Sequence, residues 1–221
     1  MRGALTILRK DLRIEWRTRE SLSSFVVLGV LLLLVFSVAH DPRPEEAPAL
    51  APSVLWVTFV FTGLLGIQRG FLLEREQDCL AGLLLAPIDP ASIYAGKLAA
   101  NVVLLAVMQA LLVPLVGLFL HVELLPVLPG LLVVLLLGNV GFGALATLFA
   151  AIAVRLRARE VMLPLLLLPL LVPLLVGGVK ATLAVMSGGL DAAREPVTVL
   201  VAFDVIFVTA GWLLFPLVVR D

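Results

Sequence analysis

Charge is scarce in this chain. Only 14% of its 221 residues are Asp, Glu, Lys or Arg, against about 25% in an ordinary globular chain. The 16 basic and 16 acidic side chains cancel to a formal net charge of zero, so no strongly basic balance exists to hold nucleic acid. Cysteine occurs once, at Cys79, which excludes an intrachain disulfide and any cysteine spacing for zinc. The pattern GxxxxGK[ST], whose backbone amides and lysine cradle nucleotide phosphates, is missing. If ATP drives this protein, another chain binds it. No nucleophile–base arrangement and no metal cluster is legible, so the chain reads as non-catalytic.

What it has is apolar length. Hydrophobic residues make up 62% of the chain, well above the roughly 45–50% of globular proteins. A helix needs about 20 mainly apolar residues to cross a bilayer. Six stretches meet that need: Ser21–Ala39, Leu50–Ile67, Leu98–Leu120, Val127–Val154, Val161–Val179 and Val197–Val219. The expected fold is therefore all-α and polytopic, with six transmembrane helices in residues 21–221. The first stretch follows a basic N-terminus and ends in SVA at Ser37–Ala39, as a signal peptide would. Its apolar run exceeds the usual 7–15 residues of such a peptide, so it reads as a retained helix.

Orientation follows from the loops, because short cytoplasmic loops carry the excess of Lys and Arg. Arg2, Arg9, Lys10, Arg13, Arg17, Arg19, Arg69, Arg75, Lys97, Arg155, Arg157, Arg159 and Arg220 fall on one side, and only Arg43, Lys180 and Arg194 on the other. Both termini are expected in the cytoplasm. Residues 1–20 form their own unit. Leu5, Leu8, Leu12 and Trp16 share a helical stripe flanked by Arg9, Lys10, Arg13 and Arg17, the pattern of a helix lying in the interface with its basic side toward lipid phosphates. A plain topology signal would have the same charges.

One charged segment interrupts the apolar runs on the cytoplasmic side, at residues 69–97. At 100° per residue Leu72, Leu73, Leu80, Leu83 and Leu84 share one face, while Glu74, Arg75 and Asp78 oppose them. Pro87 ends this helix. Asp89 then reads as an N-cap with Pro90 at the first helical position, opening a helix that runs into the third span. Lys97 is expected near the membrane surface with its head snorkelling to water. The segment suits either an ordinary interfacial helix or a docking element that lies in a partner's groove.

Four stretches, taken in order, resemble the CcmB family, the permease subunit of the ABC system of cytochrome c maturation. They are LRKDLRIEWR at Leu8–Arg17, APSVLWV at Ala51–Val57, LAGLLLAPIDP at Leu80–Pro90 followed by AGK at Ala95–Lys97, and LPLLVP at Leu168–Pro173 followed by Gly177. The loop departs from the family pattern at Gln77, Asp78, Cys79, Leu80 and Ala81, and at Ala86, where the family has serine. The resemblance implies an ABC-2-type permease, paired with a second copy of itself and with ABC ATPase subunits. It implies a haem-handling membrane subunit, a small membrane peptide and an outer-face haem chaperone as further partners. ATP would be used through the ATPase, and haem would be a transported or transferred ligand. Glu74, Asp78, Leu80, Leu83, Leu84 and Pro87 would then couple the chain to the ATPase. An ABC-2 permease for a lipid or drug, and an ATP-independent secondary carrier, remain open.

Inside the spans two polar residues stand out. Asp204 is the one acidic residue well within an apolar stretch, and an ionisable group there is costly enough to be a functional candidate. Asn139 sits in GNVGFG, whose Gly138, Gly141 and Gly143 permit close helix approach; it suits packing or a substrate path. His40 and His121 lie at outer ends of spans, where haem iron would accept histidine and where solvated histidines are also ordinary. Pro164, Pro169 and Pro173 punctuate the fifth span and are expected to kink it.

Overall fold

The structure is a computed structural model and describes residues 2–18, 20–40, 45–76, 89–153 and 159–220. Seven helices account for nearly all of them: α1 (Arg2–Thr18), α2 (Glu20–His40), α3 (Ala47–Glu76), α4 (Pro90–Leu120), α5 (Leu128–Ala153), α6 (Arg159–Ala192) and α7 (Arg194–Arg220). The last six each contain a stretch long and apolar enough to cross a membrane. In lipid every backbone polar group needs an internal partner, and a continuous helix supplies one.

Spans α3 and α5 are the buried centre, while α2, α4 and α7 leave most of their surface to lipid. Helix α5 packs against α4, α6 and α7, and α3 packs against α2, α4 and α6. Trp56 of α3 joins α3 to both α5 and α6. Its ring lies against Gly138 of α5 and Gly178 of α6, at positions where a Cβ would strike it. Phe59 meets Trp56 edge-on at 5.6 Å and Phe142 of α5 at 5.5 Å. Small residues facing a large ring give the close backbone approach that drives helix association where water is absent.

Span boundaries shift by a few residues from the sequence expectation, and three of the differences matter for the site. The third span begins at Pro90 rather than Leu98, because helix α4 forms through Ser92, Tyr94 and Lys97, which an apolar count discards. Leu72–Glu76 continue α3 as the same helix and do not start a separate one. Helix α6 runs past Val179 to Ala192, carrying an exposed Lys180 within it. The backbone stays helical through Pro164, Pro169 and Pro173, and leaves helical geometry at Gly189, where φ is 74°. Asp89 is the N-cap of α4 with Pro90 at the first helical position, as expected, but its side chain makes no capping bond; its carbonyl receives the Ser92 and Ile93 amides at 2.9 and 3.2 Å.

Candidate functional site

The cytoplasmic ends of the helices converge around the first turns of α4. Helix α1 has three sectors. Ile7, Asp11 and Glu15, spaced one turn apart, turn toward the bundle; Ile7 and Glu15 are buried. The stripe of Leu5, Leu8, Leu12 and Trp16 lies beside that face, with Leu5 and Trp16 exposed and Leu8 and Leu12 half-buried, and Arg9, Arg13 and Arg17 form an exposed row beyond it. The apolar stripe read from the sequence therefore leaves its two ends, Leu5 and Trp16, open to lipid, and a different face docks.

Three contacts of that docked face fix its register on the bundle. Ile7 and the Ala4 carbonyl press on Gly96, where a Cβ would sit 2.9 and 2.8 Å from them. Lys97 Nζ lies 3.9 Å from Asp11 Oδ2, and Lys10 Nζ lies 2.9 Å from Asp11 Oδ1. Glu15 Oε1 accepts the Leu22 amide at 3.2 Å, capping the start of α2. Lys97 is thus a correction: its side chain is 5% exposed and paired, because α1 covers the surface to which it would have snorkelled. Beside these contacts at the same end of α4, the Tyr94 ring packs at a tilt on Phe215 of α7, 5.6 Å between centroids, with its hydroxyl against Gly211. Ile7, Ile93, Tyr94, Ala151 and Phe215 form a small core of their own here.

A second polar region lies near mid-span. Thr58, Gln109, Asn139 and Asp204 are buried, each in the middle part of its own span. Asn139 Nδ2 donates to Gln109 Oε1 at 2.8 Å, linking α5 to α4. Thr58 Oγ1, Gln109 Nε2, Asn139 Oδ1 and Asp204 Oδ1 have no hydrogen-bond partner among the described residues. Asp204 sits where α7 crosses α5 at Gly141, with Leu174 and Phe203 around it. Two residues along a helix turn the side chain by about 200°, so Asn139 and Gly141 point to different sides of α5. The two intramembrane candidates are therefore separate sites. Gln109 is a polar residue that sequence reading passed over; an amide side chain deep within a 31-residue apolar helix was the signal.

His121 is exposed at the outer end of α4, where it ends the helix in the left-handed conformation with φ 54°. His40 ends α2, and its side chain lies outside the described residues. Among the described residues no three His, Cys, Asp or Glu side chains gather as metal ligands would. Glu74 lies within α3, its side chain outside the described residues. Asp78, Cys79, Leu80, Leu83, Leu84 and Pro87 lie wholly outside them.

A model of the CcmB protein family matches residues 2–220. The chain belongs to the CcmB family. Heme exporter protein B of Paracoccus denitrificans is 32% identical over 195 residues, covering 88% of this chain and 87% of that protein. Heme exporter protein B of Rhodobacter capsulatus is 30% identical, over 79% of each chain. The protein of that name from Pseudomonas aeruginosa is 28% identical, over 82% of this chain and 81% of its own. A CcmB chain with six helices fit to span a bilayer is a multi-pass protein of the bacterial inner membrane, and a transporter's permease subunit.

Proposed function

We propose that this CcmB-family chain is the membrane permease of an ABC-type haem export system serving cytochrome c maturation. ATP is hydrolysed by a partner chain, and the resulting motion drives haem export, or release of a haem-loaded chaperone, at the outer face. The observation that carries this reading is near full-length similarity to proteins named heme exporter protein B. A sequence without a phosphate-binding loop agrees with an ATPase on a separate chain. Two copies of the chain, a haem-handling membrane subunit and a small membrane peptide complete the proposed assembly.

The coupling element is the segment at 69–97, through Glu74, Asp78, Leu80, Leu83, Leu84 and Pro87. Its placement between α3 and α4 supports the role: α3 runs unbroken to Glu76, and α4 starts at Pro90 as one helix through the third span. A push on the connection reaches two spans directly.

The test is affinity purification from native membrane in mild detergent, with mass spectrometry of the co-purifying chains. Recovery of an ABC ATPase together with a haem-handling membrane protein is expected. An ATPase without haem proteins would keep the permease and remove the substrate, leaving a lipid or drug exporter. Reproducible recovery of neither would point to a secondary carrier. Charge reversal at Glu74 and Asp78 combined with Leu80→Asp and Leu83→Asp should detach or uncouple the ATPase while the spans stay inserted.

A further inference from the structure

Helix α1 holds two spans at once, and it does so with one face. Ile7 and the Ala4 carbonyl meet Gly96 of α4. One turn later Asp11 meets Lys97, and one turn after that Glu15 caps α2 at Leu22. The contacts on α4 fall in its second turn, directly beyond Asp89 and the cytoplasmic connection. With no side-chain cap at Asp89, the first turns of α4 take their position from lateral contacts with α1 and, through Tyr94, with α7.

The Asp11–Lys97 pair costs desolvation that an apolar pair would avoid, and buried pairs are better at specifying register than at adding stability. Gly96 brings the two backbones close enough for that register to matter. A helix is stiff over two turns, so a displacement at Lys97 cannot be absorbed inside α1 without breaking its ladder of hydrogen bonds. The displacement arrives at Glu15 and the start of α2.

We propose that Asp11 and Lys97 are positioning residues for coupling, clamping α1 to the first turns of α4 so that α1 moves with the third span as one body and passes the motion to the first span. This rests on the ATPase-coupling reading above. It adds a second route from the cytoplasmic connection into the bundle, one that reaches α2 through α1.

The experiment uses the assembled complex with its ATPase in lipid nanodiscs, in a Cys79→Ser background. Spin labels go on exposed positions Leu5 of α1, Val103 of α4 and Leu132 of α5, and distances are measured without nucleotide and with ATP trapped. The Leu5–Val103 distance should hold while Val103–Leu132 shifts. A shift in Leu5–Val103 with the ATPase bound would overturn the clamp of α1 on α4 and leave the coupling reading intact. If ATP moves neither distance while the ATPase turns over, the coupling reading itself fails and the clamp with it.

Lys97→Met then tests the pair. Asp11 keeps Lys10 at 2.9 Å, so this variant leaves no lone buried carboxylate and should assemble. It should broaden the Leu5–Val103 distribution and lower haem delivered per ATP consumed, with ATP turnover retained. Lys97→Arg should restore both. An unchanged distribution and unchanged delivery in Lys97→Met would remove the pair from the coupling route.

Discussion

Trp56 Nε1 donates to Thr182 Oγ1 at 2.8 Å, fastening α3 to α6 through two fully buried side chains. The indole reaches Thr182 only because Gly138 and Gly178 leave room for its ring. Intramembrane hydrogen bonds contribute about 0.6 kcal/mol on average and up to about 1.7, while forcing a methyl into a filled core costs about 1–3 kcal/mol. Gly178→Ala should therefore lower the thermal unfolding temperature more than Trp56→Phe does. The reverse order, measured by thermal denaturation in one detergent, would mean that the hydrogen bond outweighs the ring's seat.

The Asn139–Gln109 bond predicts a coupled pair. Asn139→Leu strands the Gln109 amide in the apolar interior of the bundle, and Gln109→Leu does the converse to Asn139. Each single change should cost about 1–2 kcal/mol, and the double change should cost less than their sum. Strict additivity in a thermal double-mutant cycle would show that the two amides do not depend on each other.

Asp204 makes no hydrogen bond through Oδ1 among the described residues, and it lies against Leu174, Phe203 and Gly141. A carboxyl kept for structure should hold a partner. Asp204→Leu is accordingly expected to leave thermal stability unchanged or raise it, and to reduce export activity. Such a split is the signature of a residue retained for function at the expense of stability. A large loss of stability with normal specific activity of the surviving protein would assign Asp204 to packing.

Gly96 carries the tightest backbone approach of α1. Gly96→Ala should lift α1 from α4, because the added Cβ meets the Ala4 carbonyl at 2.8 Å and Ile7 at 2.9 Å. Read in a Cys79→Ser background, a cysteine at Ile7 should resist maleimide when Gly96 is intact and react when it is Ala. Equal protection in both would show that α1 slides aside without undocking.

Much of this was legible in apolar length and in charge. Six spans, the cytoplasmic bias of Arg and Lys, the start of a helix at Asp89–Pro90 and the burial of Asp204 all follow from counting or from a single residue's cost in lipid. Helix α1 was legible as an amphipathic helix, since one side of it meets water. Its docked face was not: nothing in the residue order marks Asp11 and Glu15 as contacts until Lys97 and the Leu22 amide are placed beside them. Gln109 was overlooked because a single amide does not interrupt an apolar run.

The residue order by itself determined that the chain lives in a bilayer, how many times it crosses and which end faces the cytoplasm, because transfer of an apolar or charged side chain out of water depends mainly on what that side chain is. Only the tertiary structure decided which face of each span meets which neighbour. A soluble helix marks its buried side by contrast with a polar one, but lipid and protein core are equally apolar, so a span's packed and exposed faces are written in the same residues. Trp56 between two glycines, Asn139 on Gln109, Asp204 over Gly141 and Lys97 under α1 are matters of shape and pairing between distant positions, and those appear when the helices meet.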